Sequence, residues 1–418
     1  MPGFEERNAM SDVLERLVRY VQVSSPSDPD NEEQTPSSAC QHDMARLMGE
    51  ELAALGCTDI TVDEHAYVTG TFAASAGAED KPALMLCAHM DTAPDAPGVG
   101  VKPHVVRYEG GELLSGIVDG VRVVSTPDEV PDLEKFIGQD ILLTDGTTLL
   151  GADDKAGVAE ICALLQRLKD NPELPHPAIK AAFVPDEEIG HGASLLDLDK
   201  LGAAYGYTVD GDVLGSVSYE CFSASEATVR IKGVMVHPGS AKDIMVNAIT
   251  LAAEYLSMVP AAERPEHTEG REGFYHPTDI SGSASEVEFS FILRDFDSDV
   301  LAQREQTLRD IAAFMNGRYG DGTVEVSCRQ QYRNMAEQFA GKEFLIDYAL
   351  EANEEVGLSA FTDPIRGGTD GAQLTFRGLP CPNLVTGGYN FHSVREFVPV
   401  PSLEKTVDML TALVAKFA

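Results

Sequence analysis

The sequence is short of positive charge and has no paired-cysteine motif and no long apolar run. Lys and Arg number 31 against 68 Asp and Glu, a formal net charge of −37. So acidic a surface repels nucleic acid and anionic membranes, and neither is expected as a partner. It favours solubility, and it makes any cation in a cleft worth following. No stretch approaches the ~20 apolar residues that span a bilayer. Residues 1–20 are charged and amphipathic, without an apolar signal core. The seven cysteines are odd in number, contain no CxxC pair and mostly sit in apolar settings, as Cys87 and Cys162 do. That pattern fits reduced, buried thiols rather than a disulfide framework. The glycine-rich turns match neither GxGxxG nor a P-loop, so nothing points to a nucleotide. The expectation is a soluble, cytoplasmic protein.

What is present is a globular profile, 43% hydrophobic and 24% charged. The 418 residues are too many for one ordinary core, so two domains are expected. Val13, Leu14, Leu17, Val18 and Val21 recur at helical spacing. Residues 24–38 are rich in Ser, Pro, Asp and Glu and read as a loop. A helix is predicted over 38–55, ending at Gly56, with short strands at 60–62 and 69–72. Residues 83–88 are continuously apolar, the mark of a buried central strand, and 179–184 and 205–209 repeat the pattern. After Tyr219 the pattern changes. Residues 227–232 alternate with period two, and helices at 246–258 and 300–315 interleave with strands at 286–293 and 323–328. The α/β pattern resumes near Asn334, with helices at 343–356 and 401–417. The reading is an α/β domain of residues 1–219 and 334–418, interrupted by a smaller α+β unit at 220–333.

The chemistry-bearing residues gather where the apolar runs end. In His89-Met90-Asp91 the outer two residues face one side of an extended chain, at a strand end where open α/β sheets place their sites. The carboxylate is placed to orient the imidazole. Asp153 and Asp154 occupy a strand-to-helix turn between Gly151 and Gly157. An isolated Asp pair there reads as a helix cap. Asp186-Glu187-Glu188 follows another buried run, and three consecutive acids repel one another unless cations bind. Asp210 ends a third run, and His392 follows a glycine-rich turn. His89, Asp153, Glu188, Asp210 and His392 form a nitrogen and oxygen donor set without thiolate. Such a set suits zinc, and cobalt or manganese less selectively. Five ligands exceed what one catalytic zinc with an open position takes. They suit two metals sharing a carboxylate, about 3.5 Å apart. Glu187, on the other side of the chain from Glu188, is then free to act as general base.

These motifs resemble the M20 metallopeptidases. The resemblance rests on His89-Met90-Asp91-Thr92-Ala93-Pro94, Gly151-Ala152-Asp153-Asp154-Lys155-Ala156-Gly157 and Pro185-Asp186-Glu187-Glu188-Ile189-Gly190. Thr208-Val209-Asp210-Gly211, Val236-His237-Pro238-Gly239, Ile365-Arg366-Gly367-Gly368-Thr369-Asp370-Gly371-Ala372 and Gly387-Gly388-Tyr389-Asn390-Phe391-His392 continue it. They span nearly the whole chain in the family's order. The resemblance implies a mixed sheet with flanking helices holding two zinc ions per chain. Asp153 would bridge them, His89 and Asp210 completing one site and Glu188 and His392 the other. Asp91 would orient His89, and Glu187 would be the base. A cis peptide is implied between Asp153 and Asp154. The inserted unit would be a lid and dimerisation domain, presenting His237 and Asn247 to the substrate, and Arg366 would grip a peptide's C-terminal carboxylate. The activity implied is release of the N-terminal residue from tripeptides. Dipeptidase, carboxypeptidase and acyl-amino-acid hydrolase activities of the same group stay open. His42, His65, His104, His176, His191, His267 and His276 fall outside the motifs and read as surface or structural.

Overall fold

In the computed structural model of the protein, which describes residues 11–418, the apolar run becomes the fully buried strand Leu84–His89. Residues 1–10, the start of the charged N-terminal stretch, lie outside the described residues. The strand is interior to an eight-stranded mixed sheet. The order is Thr58–Val62, Val68–Phe72, Ile179–Val184, Leu84–His89, Tyr205–Gly211, Asn383–Val385, Ser216–Ser218 and Phe361–Thr362. The four strands from Ile179–Val184 to Asn383–Val385 are parallel, each to its neighbours within the four. Their C-terminal ends therefore open on one edge of the sheet, where the sequence places its acidic and histidine-bearing turns.

The chain divides into two compact units. One runs to Tyr219 and resumes at Gln338–Asp363 and Thr369–Ala418; the other is Glu220–Glu337 with Pro364–Gly368. In the first unit the helix Ala152–Asp170 is apolar nearly all round because it is buried all round. It touches the strand Leu84–His89 and the helices Asp12–Tyr20, Gln41–Leu55 and Val400–Ala415. Val158, Ile161, Leu164, Leu165 and Leu168 are buried there, each contributing about 1.5–3 kcal/mol of transfer free energy. The helix also runs very close to the strand Tyr205–Gly211. A Cβ at Gly157 would lie 1.9 Å from the Val209 carbonyl oxygen, so only glycine fits. Residues 92–150, which read only as short β-like pieces, supply two strands of a three-stranded sheet and the hairpin Leu113–Val118 with Val121–Ser125. All seven cysteines are free, and five are buried. Among the described residues no helix is long and apolar enough to cross a membrane.

The second unit is a four-stranded antiparallel sheet, ordered Phe274–Gly282, Glu286–Asp295, Ser223–Lys232, Val324–Tyr332. Val287, Phe289, Phe291 and Leu293 alternate inward, as period two requires, and meet Leu251, Tyr255, Leu308 and Met315 of two helices. The strand Phe274–Gly282 has no counterpart in the sequence reading. It lies at the sheet edge, is mostly exposed and carries Pro277, so it has neither the alternation nor the apolar content that marks a strand.

Glu160 is a local conflict in this packing. It is fully buried on the central helix, and neither carboxyl oxygen has a hydrogen-bond partner among the described residues. The Thr406 hydroxyl donates to the Ser402 carbonyl instead, at 3.2 Å. Burial pushes the Glu160 carboxyl well above the usual range. The folded chain thus keeps a proton that the unfolded chain releases above about pH 4.3, and stability falls as pH rises past that value. Glu160→Gln removes this titration. The melting temperature of the variant, relative to the parent, should climb between about pH 5 and pH 8. Calorimetry showing a flat difference would mean that the folded carboxyl is ionised.

Candidate metal centre

The paired aspartates divide their labour. Asp154 turns inward and is fully buried. One of its oxygens accepts the His89 backbone N–H at 3.0 Å and the other the Gly157 N–H at 3.2 Å. Asp153 faces the site instead, and the peptide bond joining the two is cis. One Asp153 oxygen lies 3.0 Å from His89 Nε2 and the other 3.2 Å from His392 Nε2. His89 Nε2 is also 3.5 Å from Asp210, and His392 Nε2 is 3.0 Å from Glu188. Two donor groups, His89–Asp153–Asp210 and His392–Asp153–Glu188, thereby share one carboxylate. The donor atoms of His89, Asp153 and Glu188 also lie within 4.8 Å of one another, close enough for one ion.

Both imidazoles are held from behind. His89 Nδ1 meets the Asp91 carboxylate at 3.3 Å and its carbonyl at 3.1 Å; His392 Nδ1 meets Asp95 at 3.3 Å. This is the support that fixes ring orientation and leaves Nε2 for a metal. Asp91 does more than orient His89. Its two oxygens accept the Glu187 and Glu188 backbone N–H groups, each at 3.1 Å, and it also accepts from the Ser27 hydroxyl. The acidic turn is further held through Asp186, at φ 56°, whose carboxylate accepts Ser37 N–H at 2.7 Å and Gln41 Nε2–H at 2.6 Å. The loop at 24–38, unremarkable in the sequence, thus braces two of the site's turns. Glu396 accepts three N–H groups from the Asp153 turn. Neither it nor Asp95 stands out in the sequence, because nothing local marks a carboxylate whose partners lie more than 200 residues away.

The electrostatics are those of a site with too many acids. Burial pulls the His89 imidazole down, but Asp210, Asp153 and Asp91 outweigh it and hold it well above its usual range. Hydrogen bonds to Asp153 and Glu188 push His392 up to about 11. Burial raises Glu188 to about 7 and Asp210 to about 7, and holds Glu187 well above the carboxylate range. Burial pulls the Lys155 ammonium down to about 8, with Asp91 and Glu396 acting the other way. Lys155 donates to the Val23 carbonyl at 2.7 Å, so it does not neutralise the cluster directly. One Glu188 oxygen is buried with no hydrogen-bond partner among the described residues. An orphaned carboxylate oxygen beside two imidazole nitrogens and two aspartates fits a divalent cation.

The second unit holds the other three expected residues. His237 is exposed, and its Nδ1 accepts the Gly239 N–H at 3.1 Å, which leaves the hydrogen on Nε2. Asn247 caps the helix Ala248–Met258 by accepting Ile249 N–H at 2.9 Å, which leaves its amide NH₂ to donate. Arg366 donates to the Gly270 and Glu272 carbonyls at 2.7 and 2.9 Å and to the Thr268 hydroxyl at 3.2 Å. Its guanidinium lies over the Phe222 and Phe274 rings. Two of its five N–H groups remain.

Comparison with known proteins gives the family and the fold. A family model described as a peptidase dimerisation domain of the M20 group matches residues 219–323. An aminopeptidase PepT from Bacillus cereus superposes with a TM-score of 0.75 at 22% identity, over 97% of this chain and 98% of that one. A tripeptidase from Staphylococcus aureus does so at 0.76 and 25%, over 97% and 98%. The fold is that of an M20 peptidase, with the dimerisation domain inserted in the chain. Peptidase T of Halothermothrix orenii is 42% identical over 410 residues, 98% of this chain and all of that one. Peptidase T of Desulfitobacterium hafniense is 44% identical over 410 residues, 98% and 99%. The chain belongs to the peptidase T family.

The shared position of Asp153 has a measurable consequence. Zinc-saturated, desalted protein should carry two equivalents by elemental analysis. Asp153→Asn should lose both and Glu188→Gln one. A plateau at one equivalent in the parent chain rules out sharing.

Proposed function

We propose that the chain is a dinuclear, zinc-dependent aminopeptidase that releases the N-terminal residue of tripeptides in the cytoplasm. Cobalt and manganese fit the same donors less selectively. The observation that carries the reading is Asp153 with one oxygen toward each histidine Nε2, beside a half-buried Glu187. No hydrogen bond or ion pair engages the Glu187 side chain among the described residues. The names of the relatives, peptidase T, aminopeptidase and tripeptidase, support the same activity. The match to a dimerisation domain supports a homodimer formed through the inserted unit.

Two divalent cations, when bound, supply Lewis-acid polarisation of the scissile carbonyl and a water acidic enough to react near neutral pH. Glu187 takes a proton from the attacking water and returns it to the leaving amine. Its neighbour Glu188 does not share that role, because it faces His392 Nε2 at 3.0 Å and would hold a cation there. The Nε2–H of His237 stabilises the oxyanion of the tetrahedral intermediate, and the Asn247 amide donates to the substrate. The surplus acid of the site favours the substrate's ammonium end. Arg366 receives the far carboxylate through its remaining N–H groups.

Defined peptides of two to four residues, free and acylated, separate this activity from the other hydrolases of the group. Glu187→Gln should lower kcat by about 10²–10⁴-fold with both metals retained. Near-full activity would assign the base elsewhere. For Arg366, amidating the tripeptide's C-terminus or making Arg366→Ala should each cut kcat/KM at least about tenfold, about 1.4 kcal/mol. Arg366 also ties down the segment at 268–272, so the alanine variant loses local structure, whereas the amide does not. Together the two changes should cost little more than either alone. Fully additive losses would show that Arg366 does not read the carboxylate.

A further inference from the structure

Glu396 is 1% exposed and sits four residues after His392. One of its oxygens accepts the Leu150 and Gly151 N–H groups, both at 2.7 Å, and the other accepts Asp153 N–H at 3.0 Å. These are charge-assisted bonds from the turn that carries the shared carboxylate. Gly151, at φ 76°, gives that turn the left-handed bend that aims its N–H groups one way. The base of the His392 loop is pinned too. Tyr389 and Phe397 exchange two backbone bonds of 2.9 and 3.0 Å, and Phe397–Pro399 pairs with Asp140–Leu143. One side chain therefore clasps two ligand-bearing turns that lie 243 residues apart, counted from Asp153 to Glu396.

We propose that Glu396 is a positioning residue that fixes the Asp153 turn against the His392 loop, so that both metal sites depend on it. It touches neither donor atom. It acts through the backbone of Asp153, and because Asp153 is shared, its loss loosens both sites at once. An ordinary helix cap would behave differently. It would stabilise the helix Ala152–Asp170 with or without metal and leave the intrinsic affinities alone. The inference rests on the dinuclear reading, and the experiment separates the two.

Glu396→Gln keeps the shape but puts an NH₂ group against an N–H donor whichever way the amide turns. The full chain, stripped of metal, is titrated with zinc against a chromogenic chelator, and the metal-free proteins are melted in parallel. In Glu396→Gln both binding steps should weaken together, by about 10–100-fold, the effect typical of groups that orient ligands. The metal-free melting temperature should fall too, because a buried N–H loses its acceptor, so the affinities rather than the melting decide. Glu396→Asp keeps both oxygens and the charge on a shorter stem, and should recover part of the affinity. It also serves alone if the glutamine variant does not fold, with joint weakening of both steps expected. Unchanged affinities, weakening of one step only, or an aspartate variant no better than glutamine would overturn the proposal. A parent chain that binds one zinc overturns the dinuclear reading. A parent that binds two, with Glu396→Gln unaffected, overturns this inference alone.

Discussion

The structure is governed by the repulsion among carboxylates crowded at one end of the sheet. Asp91, Asp153, Asp154, Asp186, Glu187, Glu188, Asp210, Asp370 and Glu396 all belong to this region, against two imidazoles and one buried ammonium. Each buried anion costs several kcal/mol unless donors or cations meet it. The fold answers in two ways. Asp91, Asp154, Asp186, Asp370 and Glu396 are met by backbone N–H groups, with Asp370 accepting Ala193 N–H at 2.6 Å. Asp153, Glu188 and Asp210 face the histidines, and Glu187 faces none of these donors. The first group holds the turns in place; the second is the group to which the proposed function gives binding and reaction. The same side-chain chemistry thus does structural or functional work according to what the backbone offers it.

That division explains what could be read from the chain. The turns that carry His89, Glu188 and Asp210 were legible because each follows an apolar run, and burial on both faces leaves such a run no other role than a central strand; the turns of Asp153 and His392 follow no such strand. The strands then deliver His89, Glu188 and Asp210 to one edge by geometry alone. The supports were not legible. Ser27 and Ser37 reach Asp91 and Asp186 across 64 and 149 residues from a segment whose composition says only loop, and Gln41, in the first turn of the expected helix, reaches Asp186 across 145. Glu396 looks like any acid near a strand. The helix Asp370–Phe376 also escaped the reading, because its capping Thr369 follows Gly367 and Gly368, which suggest a turn. Long-range acceptor bonds have no period, and a pattern-based reading sees only periods.

The inserted unit follows a different logic. Its core is ordinary alternation, with phenylalanines and leucines inward from one strand against two amphipathic helices. Nothing in that core requires a histidine at 237 or an arginine at 366. Among the described residues both keep donors unengaged after their local bonds are counted, which is what distinguishes them from His176, buried with its Nδ1 against the Pro177 carbonyl. In the proposed reaction these donors act where negative charge appears, on the oxyanion and on the substrate's terminus.

Arg366 shows why local bonding need not compete with recognition. A free arginine would lose side-chain entropy on gripping a carboxylate. Here two backbone carbonyls and two aromatic rings already hold the guanidinium, so that loss is incurred on folding rather than on binding. The carbonyls are neutral acceptors and leave the positive charge intact. Positive charge is what an acidic chain most lacks, and a fixed cation with two N–H groups remaining is suited to meet a carboxylate that the rest of the surface repels. A side chain can therefore be fully built into its own unit and still be available for the role proposed for Arg366, meeting the far end of a short peptide.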